Sequence, residues 1–121
     1  MPIVVSHRIR QKEFGAKIPR ADTNALLRTA RVALATPIAA KGLPAKTRLL
    51  KGYATTPNGP RRVVYLLGVE DGTLFLLFYR DKNDPVGQNI SPQNPAFSKQ
   101  LEKHLAFLLS DLTTNEFDVI E

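Results

Sequence analysis

A chain of 121 residues with 17 Lys and Arg against 11 Asp and Glu, for a net charge of +6, is sized for one domain, residues 1–121, able to bury a core of its own. With no cysteine, disulfides, thiolate metal sites and thiol nucleophiles are excluded together; His7 and His104 lack the helical spacing of a metal pair, so neither a metal nor another cofactor is expected. No apolar run reaches the ~18 residues that cross a bilayer, and MPIVVSHRIR lacks the order of a secretory signal, so the expectation is a cytoplasmic protein with no membrane partner.

Pro2 to Ser6 is short, apolar and β-branched, and its leading proline suits an edge strand. From Asp22 the run DTNALLRTARVALAT sets Leu26, Leu27, Ala30, Ala33 and Leu34 at helical spacing, and Pro37 ends it. Arg28 and Arg31 fall off that stripe, toward solvent or a ligand. Residues 38–60 are punctuated by Gly42, Pro44, Gly52, Pro57, Asn58, Gly59 and Pro60 and read as loop, with a helical turn around Ala45 to Leu50. This stretch carries Lys41, Lys46, Arg48 and Lys51 and no acid, which makes it the most basic flexible segment expected.

The segment RRVVYLLGVEDGTLFLLFYRDK follows, residues 61–82, in which two apolar, aromatic and β-branched runs flank Asp71-Gly72. That dipeptide suits a type I′ turn and predicts a hairpin. A two-residue loop opposes Tyr65 to Phe78, Val63 to Arg80 and Arg61 to Lys82. Alternation then puts Arg61, Val63, Tyr65, Leu67, Val69, Leu74, Leu76, Phe78, Arg80 and Lys82 on one face, and Arg62, Val64, Leu66, Phe75, Leu77, Tyr79 and Asp81 on the other. Both faces are apolar in the middle, so the hairpin belongs inside a sheet covered on both sides. Residues 83–95 are a polar loop, and Phe97 to Leu112 is an amphipathic helix with Phe97, Leu101, Leu105, Leu108 and Leu112 on one stripe. EFDVIE alternates apolar and acidic residues, as a terminal strand does. The fold class these elements give is α+β.

Charge is divided unevenly along the chain. Residues 1–62 hold thirteen Lys and Arg against Glu13 and Asp22, a balance of +11, whereas residues 63–121 hold four against nine acids. A basic field of this kind attracts polyanions, and nucleic acid is the usual one in the cytosol. In the expected register Arg61 and Lys82 face each other with Arg80 diagonal. Like charges so placed cost ~0.2–1 kcal/mol and call for a compensating carboxylate or a bound phosphate. RNA cleavage through the 2′-hydroxyl needs a proton acceptor, charge stabilisation and a proton donor, for which Lys, Arg and Tyr suffice. Ser6 beside His7 has neither an elbow motif nor a third partner.

The residues LLKGY, leading through a glycine turn into RRVVYLLGVEDGTLFLLFYRDKND, make residues 46–83 resemble the RelE/ParE superfamily of type II toxins. The resemblance implies a small twisted antiparallel sheet packed against helices. It implies the toxin of a toxin–antitoxin system, with a cognate antitoxin protein as partner. Most members cleave mRNA in the ribosomal A site without metal, and others bind DNA gyrase without being nucleases. Carried onto this chain, the family's upstream lysine matches Lys51, its strand-entry arginine Arg61 or Arg62, and its third-strand end Tyr79, Arg80 and Lys82. Lys51, Arg61, Tyr79, Arg80 and Lys82 are the catalytic candidates; by the acid–base reading above, Lys51 is the expected base and Tyr65 or Tyr79 the donor or stacking platform. Lys46, Arg48, Arg62 and Tyr65 are the expected nucleic-acid contacts. The general acid that several of the nucleases draw from a C-terminal tyrosine or histidine has no counterpart here. The expected function is therefore a metal-independent mRNA endoribonuclease; a gyrase binder, an RNA-binding module without catalysis and an inactive member are the alternatives.

Overall fold

A computed structural model describes residues 1–121. Its elements run β1 (Ile3–Ser6), α1 (His7–Phe14), α2 (Arg20–Ala33), β2 (Pro37–Ile38), β3 (Thr47–Thr56), β4 (Gly59–Gly68), β5 (Leu74–Asp81), α3 (Pro95–Thr113) and β6 (Phe117–Ile120). The six strands form one sheet in the order β2-β3-β4-β5-β1-β6. All neighbours are antiparallel except β1 and β5, which are parallel. This is an α+β fold with an open, mostly antiparallel sheet. No helix is long and apolar enough to cross a membrane.

The sheet separates two cores. On one face Leu50, Ala54, Val63, Tyr65, Leu74 and Leu76 pack with Ala25, Leu26, Ala30 and Ala33 of α2. On the other, Leu49, Val64, Leu66, Leu77 and Phe78 pack with Ile9 of α1, with Phe97, Leu101, Leu105 and Leu108 of α3, and with Val86 and Ile90 of the loop before α3. Apolar residues on both faces of β4 and β5 are thereby accounted for.

Several expectations are corrected, and the helix α1 is added to them. The strand β1 is not an edge, because β6 returns antiparallel along its free side and leaves it between β5 and β6. The helix α2 starts at Arg20, directly after Pro19, rather than at Asp22. The helix α1 lacks an apolar stripe, burying only Ile9, and is set by its ends: Ser6 is the N-cap and Gly15, at φ 76°, the C-cap. Asp111 of α3 fixes this start by accepting from Ser6 Oγ at 2.5 Å and Arg8 N at 2.9 Å.

The largest correction concerns residues 38–60. No helical turn forms at Ala45 to Leu50; Thr47–Thr56 is a ten-residue strand paired with β4 along its whole length. The glycine that argued for loop is a packing device, since a methyl group at Gly52 would overlap Thr29 Cγ2 of α2. The two-residue hairpin turn lies here, at Pro57-Asn58, with Thr56 paired to Gly59, and Gly59 takes φ +108°.

The expected turn at Asp71-Gly72 opens instead into a wider loop. Gly68 N donates to Thr73 O and Gly72 N to Gly68 O, while Asp71 Oδ1 accepts from Thr73 N at 3.0 Å. The register moves by two residues, which pairs Tyr65 with Leu76 and preserves the faces near the loop. A β-bulge then leaves Leu77 unpaired, and Val64 opposes Phe78. Leu77 and Phe78 both enter the α3-side core, so every later residue of β5 changes face. Arg80 now opposes Arg62, and Arg61 opposes Asp81.

Candidate nucleic-acid interface

Alternation along β3 and β4 places Lys51 and Tyr53 on the face of Leu49, and Arg62 on the face of Val64. The bulge brings Arg80 to that same face. Tyr53 opposes Arg62, Arg62 opposes Arg80, and Lys51 lies diagonal to Arg62. Burial on this face stops at Leu49, Val64 and Phe78; beyond them Lys51, Arg62 and Arg80 are half-buried and Tyr53 is 60% exposed. The result is a basic and aromatic patch at the end of the sheet that α3 leaves uncovered. The Arg62 guanidinium lies 4.5 Å from the Tyr53 ring centroid, a cation–π stack.

Behind the patch lies a group of buried polar side chains. Glu13 Oε1 accepts from Arg80 Nε at 2.7 Å and Oε2 from Arg80 Nη2 at 2.8 Å, a bidentate pair. Oε1 also accepts from Tyr79 N at 2.8 Å, and His104 Nε2 lies 3.1 Å from Oε2. Arg80 Nη1 reaches Asp84 Oδ2 at 3.2 Å. The opposition of Arg62 and Arg80 across the ladder is thus compensated by carboxylates of the fold itself. Burial acts to raise the Glu13 carboxyl pKa, but hydrogen bonds from His104, Arg80 and Tyr79 N and the Arg80 charge outweigh it and leave it below the ordinary value of 4.5. The Arg80 guanidinium is held above its ordinary value: burial acts against this, and Glu13 and Asp84 overcome it.

The other expected site residues lie elsewhere. Tyr65 is buried and donates its hydroxyl to Leu26 O at 2.7 Å, so it cannot meet a nucleic acid. Tyr79 sits on the α2 side, donating to Asp22 Oδ1 at 2.6 Å; burial and that hydrogen bond raise its pKa and keep the phenol protonated. Arg61, also on the α2 side, contacts Asp81 at 3.4 Å and the carbonyls of Asn58 and Pro60. Lys46, at φ 58°, pairs with Glu70 at 2.5 Å. Arg48 shares the α2-side face with Leu50, and Lys82 is exposed one residue past β5. The fold therefore gathers Lys51, Arg62 and Arg80 and separates them from Lys46, Arg48, Arg61, Tyr65, Tyr79 and Lys82.

Tyr53, Glu13, Asp84 and His104 were not among the expected site residues. Tyr53 follows from alternation once residues 47–56 are read as a strand. Glu13 had one signal, as one of only two acids in a segment of balance +11. A concavity of about 820 Å³ between residues 39–42 and α3 contains none of these side chains. Comparisons with protein-family models, curated proteins and solved structures gave no match to this chain.

Proposed function

We propose that this chain is a RelE/ParE-like toxin that binds single-stranded RNA on the Lys51–Tyr53–Arg62–Arg80 face and cleaves translated mRNA without metal. The observation that carries the reading is the arrival of three cations and one exposed phenol on a single uncovered sheet face. Two arginines from neighbouring strands match a phosphodiester and the charge that develops on it as the 2′-hydroxyl attacks. Lys51, diagonal to Arg62, is the base, its free-amine form accepting the 2′-hydroxyl proton to become the ammonium, and Tyr53 Oη is the donor to the leaving 5′-oxygen. Tyr53 takes the acid role for which the C-terminal segment offers no residue. A cognate antitoxin would cover this face with acidic side chains and compete with RNA for it.

A second reading, RNA binding without cleavage, is favoured by one observation: Arg80 already spends donors on Glu13 and Asp84, which weakens the charge it offers a transition state. Incubation of purified protein with mRNA, with and without ribosomes, distinguishes the two. Cleavage that survives EDTA, disappears in Lys51→Ala and falls in Tyr53→Phe with little loss of binding is the expected result. Intact mRNA under both conditions, with binding retained, leaves the second reading standing; no RNA binding at all overturns both.

A further inference from the structure

Because β1 stops at Ser6, opposite the first half of β5, the second half of β5 has no strand along that edge. The helix α1 runs into that space, and Glu13, in its last turn, accepts from the Tyr79 N–H that no strand carbonyl meets. The same carboxylate then holds Arg80 through Nε and Nη2. Its side chain is 0% exposed, while that of Arg80 is 21% exposed.

A guanidinium carries five N–H donors in a rigid plane. The Nε–H and one N–H of Nη2 go to Glu13, and one N–H of Nη1 goes to Asp84. Asp84 Oδ1 also lies 3.4 Å from Nη1, so at most one N–H on Nη1 and one on Nη2 are left for a ligand, on a side chain that is 21% exposed. The remaining contacts restrict the fork further. The Arg80 Cζ lies 5.5 Å from the Phe78 ring centroid, and the His104 ring stacks on Phe78 at 4.5 Å. His104 is 1% exposed, its Nε2 donates to the Glu13 carboxylate, and its Nδ1 is a buried atom without a partner. Asp84 is itself fixed by Val86 N at 2.9 Å and Gly87 N at 3.2 Å. A buried ion pair is weak evidence for stability, since desolvation offsets most of its attraction. What the pair supplies here is orientation: the guanidinium is held by Glu13 along one edge and by Asp84 at Nη1, on the residue that opposes Arg62 in the ladder.

We infer that Glu13 is a positioning residue, which together with His104 and Asp84 holds the Arg80 guanidinium in one orientation, its remaining N–H donors toward an RNA phosphodiester, before the RNA binds. This rests on the RNA-binding reading above. Glu13 touches no substrate and acts only through Arg80.

The test is a double-mutant cycle on the full chain, read by the Kd for a short single-stranded oligoribonucleotide, with solvent exchange of the Arg80 Nε–H followed by NMR in the free protein. Glu13→Gln is expected to weaken binding about three- to tenfold, the equivalent of releasing one rotamer-rich side chain. It should do so only while Arg80 is present, so that Glu13→Gln/Arg80→Ala binds no more weakly than Arg80→Ala. The Arg80 Nε–H should exchange slowly in the wild type and fast in Glu13→Gln. Where Glu13→Gln does not fold, His104→Phe, which keeps the stack on Phe78 and removes the donor to Glu13, is expected to show the same dependence on Arg80. Additive losses, or Nε–H exchange unchanged by either variant, overturn the inference. A wild type that binds no RNA overturns the functional reading instead, and the exchange measurement still decides whether Glu13 fixes Arg80.

Discussion

Glu13 and Asp22 are the two acids of the basic first half, and both end at the same end of β5, one on Arg80 and Tyr79 N, the other on the Tyr79 hydroxyl. Removing a partner from a buried pair of this kind costs roughly 3–5 kcal/mol, because it strands the other charge. The pH dependence follows from the direction of the Glu13 shift. Its folded pKa is lowered, so its contribution to stability is fully present above the ordinary value of 4.5 and is lost as pH falls through the lowered folded value. Urea unfolding of wild type and Glu13→Gln across the acid range should show a steeper fall for the wild type below pH 4.5. Parallel profiles would mean that Glu13 titrates alike in the folded and unfolded states. Sequence showed that these acids were rare in their surroundings. It could not show where they point, because α1 has no apolar stripe to orient it and Glu13 meets its partners across 66 and 91 positions of chain.

At the scale of elements, the apolar and β-branched content of residues 63–79 identified two strands, and the stripe of α3 identified a helix within two residues at its start. The register was lost for two physical reasons. The dipeptide Asp71-Gly72 is compatible with a tight turn, but Asp71 instead caps Thr73 N inside a longer loop. The bulge at Leu77 leaves no local mark, since Leu76, Leu77 and Phe78 are apolar and any of them can face a core. The strand β3 was hidden by Gly52, which reads as a breaker and serves as the contact for α2. Gly52→Ala should therefore destabilise the fold by about 1–3 kcal/mol through overpacking. Thr29→Ser, which deletes the methyl group in the way, should restore part of that loss in the double variant. Denaturant midpoints for the three proteins check both statements, and a Gly52→Ala midpoint equal to that of the wild type would show that α2 yields at no cost.

At the scale of the whole molecule, the bulge decides which basic side chains of β4 and β5 share a face. A hairpin in simple register would have put Arg61, Arg80 and Lys82 on one face and Arg62 and Tyr79 on the other. With the bulge, Arg80 joins Arg62, Tyr53 and Lys51 on the uncovered end of the α3 side. Arg61, Tyr79 and Asp81 form a separate group on the α2 side, in which Arg61 pairs with Asp81 and Tyr79 donates to Asp22. The total charge and its concentration before residue 63 were legible from composition alone, whereas the face on which Arg80 stands depended on one extra residue in β5.

Neighbours in sequence, Arg61 and Arg62 are on opposite faces, so a paired substitution tests the central claim directly. Binding of a fluorescent single-stranded RNA should weaken at least about tenfold in Arg62→Ala, as for loss of a charged phosphate contact, with the salt dependence of log K shallower by about 0.7. Arg61→Ala should bind within about twofold of the wild type, as for a charge outside the contact. Equal losses in the two variants, or a larger loss in Arg61→Ala, would contradict the account.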